Sequence, residues 1–138
     1  MLDINVACDL FWEHWNNMEF LRAIEIYNDA DRPFWLTDTV AEYYEEQGQL
    51  QDSIWEWEHL IASYLEIRSD FLPLTCGPAS LYKVAVWYAD KNTAKAIRYL
   101  KIYLSAREQR GRDPSFFLQY EDQARTLLNR LDGQIRTR

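Results

Sequence analysis

Hydrophobic residues recur along the chain at the three- and four-residue spacing that is typical of amphipathic helices. The clearest apolar stripe consists of Ile54, Trp57, Ile61, Tyr64 and Leu65. Only 4 glycines and 4 prolines occur among the 138 residues, so few positions interrupt such stripes. The pattern predicts an all-α protein of seven helices, at about residues 4–16, 19–30, 34–47, 49–68, 78–90, 93–110 and 113–132.

Residues that begin or end helices support these bounds. Gly48 is suited to the C-terminal stop of the third helix, because glycine adopts the left-handed conformation without strain. Pro78 is suited to the first turn of the fifth helix, and Asp113 is suited to the N-cap of the last. Residues 69–78 then form the one long loop.

Three segments share the pattern of a helical hairpin, with small residues that allow two antiparallel helices to approach closely. The middle segment contains Val40, Ala41, Tyr44, Ser53 and Trp57. The matching residues of the third segment are Val84, Ala85, Tyr88, Ala96 and Leu100. The first segment is less regular and contains Leu10, Phe11, Ala23 and Tyr27. One hairpin cannot bury its apolar faces alone, so the pattern predicts that neighbouring hairpins stack.

The hairpin pattern resembles the tetratricopeptide repeat (TPR), a helix-turn-helix unit of about 34 residues. Ala23, Ser53 and Ala96 are separated by 30 and 43 residues, so the spacing departs from that of an ideal array. The resemblance implies three stacked antiparallel hairpins and a C-terminal capping helix, in one domain of residues 1–132. We expect residues 133–138 to form a frayed tail. A generic helical bundle with coincidental spacing is the alternative.

The resemblance also implies a function, which is non-enzymatic recognition of another protein or peptide. An adaptor, a chaperone of the kind that holds secretion substrates, and an inhibitor-like protein all fit this class. In TPR-like folds the first helix of each hairpin lines a concave surface. Carried over to this chain, that rule selects Trp12, Trp15, Trp35, Asp38, Glu42, Glu45, Glu46 and Tyr82 as partner-binding residues.

These predicted residues combine carboxylates with aromatic rings. Carboxylates form charge-assisted hydrogen bonds with Lys and Arg, and tryptophan faces attract cations and apolar groups. We therefore expect a partner segment that carries basic residues between apolar anchors. The alternative is an ordinary solvated helix stripe beside core tryptophans. The basic cluster with which some TPR domains clamp a C-terminal carboxylate is missing from these positions.

Charge is distributed unevenly along the chain. Residues 1–70 contain 16 acidic and 3 basic residues, a net charge of -13, whereas residues 71–138 contain 6 acidic and 12 basic residues, a net charge of +6. This segregation makes head-to-tail self-association a further partner hypothesis. Nucleic acid is not the expected partner, because the pI is near 4.8 and the first half is strongly acidic.

Motifs for catalysis and metal binding are weak. Glu56 and His59 have the carboxylate–histidine spacing of di-iron helix bundles, but the chain offers no second pair of this kind. A helical-bundle enzyme or a metal-binding protein remains the alternative functional class, and we expect no cofactor. Cys8 and Cys76 form no CxxC pair, which favours a reducing, cytoplasmic setting. We expect no signal peptide and no membrane-spanning segment, because no apolar run approaches 18 residues.

Overall fold

The computed structural model describes residues 3–67, 78–110 and 119–136. Those residues form α1 (Ile4–Asn16), α2 (Phe20–Asp29), α3 (Phe34–Glu46), α4 (Leu50–Ile67), α5 (Pro78–Tyr88), α6 (Thr93–Arg110) and α7 (Glu121–Arg136). Seven helices and no strand occur in this part of the chain, so the predicted all-α fold is confirmed. The expected N-cap residue Asp113 and most of the expected loop at residues 69–78 lie outside the described residues.

Short polar turns connect the helices in the first half of the chain. The Asp3 carboxylate caps α1 by accepting a hydrogen bond from the Asn5 backbone N–H at 2.9 Å. Gly48 ends the turn after α3 with a φ of 77°, and this supports its prediction as a helix stop. α7 continues through Gly133 to Arg136, so it includes residues that the sequence analysis placed after the last helix.

The chain divides into two compact units, Met1–Glu56 and Trp57–Arg138, and the boundary falls within α4. In the first unit, α1 packs on α2, and α3 contributes to the same core. The buried residues of that core are Ala7, Phe11, Ala23, Ile24, Ile26, Tyr27, Leu36 and Val40. In the second unit, α6 packs on both α5 and α7. Helices that are neighbours in sequence therefore pack as pairs, as a helical repeat requires.

The small residues of the hairpin pattern lie in the interior. Ala41, Ser53, Ala85 and Ala96 are completely buried. A small side chain is needed at such a position, because a larger one would push the neighbouring helix away. Phe11 is also fully buried, although the first segment has this bulky residue where the other two have alanine.

Candidate functional site

α1 and α3 lie side by side and run in the same direction. Near their N-terminal ends, the Trp35 indole N–H donates to the Cys8 thiol sulfur at 2.9 Å. Near their C-terminal ends, the rings of Trp15 and Tyr43 are 5.8 Å apart. The two contacts advance by 7 residues along α1 and by 8 along α3, so the helices are parallel neighbours.

α2 packs against α3 in the opposite direction. Phe20, at the start of α2, lies 5.3 Å from Tyr43 near the end of α3, measured between ring centroids. Tyr27, near the end of α2, has its hydroxyl 2.8 Å from that of Thr37 in the first turn of α3. α3 therefore packs against both helices of the preceding pair, which is the arrangement expected of stacked hairpins.

The exposed side of α1 and α3 carries two tryptophans beside several carboxylates. Trp12 lies one helical turn beyond Cys8 and is 40% exposed, and Trp35 is 48% exposed. Along α3, Asp38 and Glu42 follow Trp35 at i+3 and i+7, the spacing of one helix face. We call the residues Trp12, Trp35, Asp38, Glu42 and Glu46 the α1–α3 surface.

The structure places the other three predicted site residues differently. Trp15 is half-buried. Its ring stacks on that of Phe11 and contacts that of Phe20 edge-on, with centroid distances of 5.3 and 4.8 Å, so it packs against the core. Glu45 is half-buried on α3, whereas Glu42 and Glu46 are exposed. Tyr82 belongs to the second compact unit.

A buried polar cluster lies under the turn between α2 and α3. Arg32 forms an ion pair with Glu56 at 3.1 Å, and the two side chains are only 18% and 3% exposed. The Tyr27 hydroxyl donates to the same Glu56 carboxylate at 2.6 Å. The Arg32 guanidinium also lies 3.7 Å from the centroid of the Trp55 ring. Burial, followed by the hydrogen bond to Glu56, raises the pKa of Tyr27 well above its ordinary value.

Sequence spacing gives no sign of this cluster, because Arg32 and Glu56 are distant in the chain and no local pattern links them. The backbone conformation is equally unexpected, because Asp31 and Arg32 have positive φ angles of 63° and 54°. Such angles are uncommon in residues other than glycine and are held in place by surrounding contacts. Arg32 thus joins the buried cluster from a turn with uncommon backbone angles that directly precedes α3.

The second compact unit contains a polar cluster of its own around Glu58. Its carboxylate pairs with Lys95 at 2.9 Å and accepts hydrogen bonds from the hydroxyls of Tyr88 and Tyr99. Burial is the main cause that raises the pKa of Tyr99, to about 12, and the nearby Glu58 charge adds to it. The Glu58 carboxylate therefore links α4 to α5 and α6. We interpret it as a structural contact between these helices.

The unit also contains an open cavity of about 480 Å³ between α5 and α7. Tyr82 lines it and stacks on Tyr120 with ring centroids 4.7 Å apart. Tyr82 therefore lies beside a concave surface of the second unit.

Glu56 and His59, which have the spacing of a di-iron pair, do not belong to a cluster of metal ligands in the described part of the chain. Glu56 faces Tyr27 and Arg32 in the buried cluster. Across the described residues, no group of three or more His, Cys, Asp or Glu side chains is arranged to hold a metal ion. Within the same part of the chain, none of the helices is both long enough and apolar enough to cross a membrane.

Comparison with known proteins gives no relative from which a function can be transferred. No protein-family model matches the chain, and neither a curated protein nor a solved structure was found to match it. The structure thus defines the class as an all-α protein of helices packed in neighbouring pairs. Any more specific assignment depends on the surfaces described above.

Proposed function

We propose that this protein is a TPR-like, non-enzymatic interaction module whose α1–α3 surface binds a basic and apolar segment of another protein. The observation that carries the proposal is the exposure of Trp12 and Trp35 on two parallel, neighbouring helices. Aromatic residues are enriched in protein–protein interfaces relative to the rest of the protein surface, so exposed tryptophans are candidate contact residues.

The electrostatic environment favours a basic partner. Residues 1–56 contain 13 acidic and 2 basic residues, a net charge of -11. Carboxylates at the α1–α3 surface attract Lys and Arg and increase the rate of association. The faces of Trp12 and Trp35 then offer cation–π contacts and apolar area, which slow dissociation when the rings become desolvated.

The rigidity of the supporting core favours binding without a large rearrangement. Trp35 is held by its hydrogen bond to Cys8, and the half-buried Trp15 and Tyr43 fix the distance between the two helices. A surface that is already ordered loses less conformational entropy on binding than a mobile one. This organisation suits an adaptor, a chaperone or an inhibitor.

The experiment is a selection of peptides from a random displayed library on the wild-type protein, followed by measurement of affinities at two salt concentrations. We expect selected peptides to be enriched in Lys or Arg beside aromatic or aliphatic residues. Glu42→Lys combined with Glu46→Lys should reduce their rate of association and its dependence on salt. Trp35→Ala should instead increase the rate of dissociation.

The matched control is Glu13→Lys combined with Asp29→Lys, which makes the same change of charge at other exposed positions of the first unit. It should retain most of the affinity. Equal effects of the two charge-reversed variants would show that the attraction is nonspecific. Selection of acidic peptides, or full retention of affinity by Glu42→Lys/Glu46→Lys, would reject the α1–α3 surface as the binding site.

A further inference from the structure

The cavity between α5 and α7 has the features of a separate binding site. Its volume of about 480 Å³ is within the range of ligand sites, which is roughly 300–1,000 Å³. Tyr82, Val86 and Leu127 provide its apolar surface, and Val86 is 46% exposed despite being aliphatic. An apolar floor that is open to solvent loses water when a ligand covers it, and this favours binding.

The two helices that border the cavity are parallel. Tyr82 and Tyr88 of α5 lie near Tyr103 and Tyr99 of α6, respectively, so these helices are antiparallel. Tyr120, which precedes α7, donates its backbone N–H to the Tyr103 hydroxyl near the C-terminal half of α6. α7 therefore starts beside the beginning of α5, and the cavity is an elongated groove between two parallel helices.

Opposite charges mark the two ends of this groove. Asp122, Thr126 and Arg130 follow one another at four-residue intervals on α7, and all three line the cavity. At 1.5 Å per residue, the two charged positions are separated by about 12 Å along the helix axis. Both are exposed, and neither forms an ion pair with any side chain in the described part of the molecule.

The dimensions of an extended peptide match this pattern. Side chains at i, i+2 and i+4 of an extended chain project to the same side, and at about 3.3 Å per residue the outer two are about 13 Å apart. A basic residue could then meet Asp122 while an acidic residue meets Arg130. The central apolar residue would cover Val86 and Leu127. Gln123 and Thr126 offer hydrogen-bonding groups for the peptide main chain.

We propose that the groove between α5 and α7 binds an extended peptide segment in which basic, apolar and acidic side chains occupy alternate positions. The segment differs in chemistry from the basic partner proposed for the α1–α3 surface. The two sites belong to different compact units, so each proposal can fail independently of the other.

The probes are three synthetic peptides with blocked termini and serine spacers: one with Lys, Leu and Glu at alternate positions, one with Lys, Leu and Lys, and one with Glu, Leu and Glu. Each is titrated into the full-length protein labelled with ¹⁵N. Amide signals of Val86 and Leu127 report on the α5–α7 groove, and the indole signals of Trp12 and Trp35 report separately on the α1–α3 surface. For the wild type, the mixed-charge peptide should bind the groove about tenfold more tightly than either like-charge peptide, since only it satisfies both ends.

Charge-reversed variants change the expected ranking without requiring knowledge of the direction of the bound peptide. Asp122→Lys makes both ends basic, so the doubly acidic peptide should become the tightest ligand. Arg130→Glu makes both ends acidic, so the doubly basic peptide should become the tightest. The control is Arg125→Glu, an exposed change of the same charge on α7 outside the groove lining, and it should preserve the wild-type ranking.

Three results would overturn the proposal. They are the absence of signal changes at Val86 and Leu127, a wild-type groove that does not prefer the mixed-charge peptide, and an unchanged ranking in Asp122→Lys and Arg130→Glu. Because all three substitutions are at exposed positions, they should leave the fold intact, and the dispersion of the amide signals verifies this in the same spectra.

Discussion

The buried ion pair between Arg32 and Glu56 is expected to be a major determinant of the position of α3. We propose Arg32→Met as the test, because methionine retains an unbranched apolar stem while removing the charge and its hydrogen-bond donors. The Glu56 carboxylate, which is 3% exposed, would then keep only the Tyr27 hydroxyl as its neighbouring donor among the contacts described above. An isolated buried charge is costly, whereas a buried pair of neutral residues is not.

The magnitude follows from the burial of each partner. Breaking a fully buried ion pair from one side costs about 3–5 kcal/mol, and the 18% exposure of Arg32 places this pair at the lower end of that range. Loss of the stacking on Trp55, which is largely exposed, contributes about 0.5–1 kcal/mol. We therefore expect Arg32→Met to lower the free energy of unfolding by about 3.5–4 kcal/mol.

The reverse deletion should cost less. Glu56→Gln keeps an acceptor for the Tyr27 hydroxyl, and the group left without its partner is Arg32, the more exposed of the two side chains. We expect a loss of about 1–2 kcal/mol from this substitution. The double variant should lose only about 2 kcal/mol, because neither an unpaired carboxylate nor an unpaired guanidinium remains. The double-mutant cycle should thus give a coupling energy of about 3 kcal/mol.

The assay is urea denaturation of the four proteins, followed by the amide signals of α1, α2 and α3 so that the first compact unit is monitored by itself. The slope of the transition must be unchanged for the energies to be compared. A cost below about 1 kcal/mol for Arg32→Met, or a cycle in which the two substitutions are additive, would refute the electrostatic argument. The strained turn at Arg32 would then have to be held by packing alone.

Three further predictions concern packing, pH and self-association. Ala41→Leu and Ala85→Leu should each destabilise the protein by about 1–3 kcal/mol, because a larger side chain overpacks a completely buried position. The control Gln51→Leu is at an exposed position and should be nearly neutral. Equal thermal midpoints for all three variants would contradict this prediction. Burial and the Glu58 charge raise the pKa of Tyr99 to about 12, above the value near 10 for an unfolded chain. The unfolded chain therefore loses this proton at lower pH than the folded protein does. About 2 kcal/mol of stability should be lost as pH rises from about 10 to 12. Tyr99→Phe should remove this part of the decline in urea midpoints, and an unaltered decline would exclude Tyr99 as its source. Head-to-tail association should appear in sedimentation at low salt. It should weaken as salt rises, because charges are screened over about 8 Å at physiological ionic strength. A monomer mass that does not depend on concentration at low salt would exclude this association.

Local sequence signals were sufficient to predict most of the helices. The bounds of α1 are those expected, and α3 ends one residue earlier than expected, because apolar periodicity and Gly48 act within a few residues. The described part of α7 runs from Glu121, and the expected N-cap Asp113 lies outside the described residues. Directly before Glu121, the Tyr103 hydroxyl accepts the hydrogen bond of the Tyr120 backbone N–H at 2.9 Å. A donor near the helix start is thus satisfied by a residue from another helix, which no local rule can reveal.

The candidate site was less predictable, because exposure depends on which face of a helix its neighbours cover. Trp12 and Trp15 are three residues apart and were given the same role. The structure leaves Trp12 substantially exposed, while Trp15 packs against Phe20 and Tyr43. Sequence spacing placed both residues on the first helix, but only the positions of α2 and α3 decide which ring faces solvent.

The two proposed sites combine similar geometry with different charge. In each unit, two parallel helices border a surface, α1 with α3 in the first unit and α5 with α7 in the second. The first unit has a net charge of -11, whereas residues 57–138 contain 13 basic and 9 acidic residues, a net charge of +4. Backbone arrangement determines where such a surface forms, but charge determines which segment it attracts and apolar area determines how long that segment stays. A partner that is basic throughout should therefore prefer the α1–α3 surface, whereas a segment of alternating charge should prefer the groove between Asp122 and Arg130.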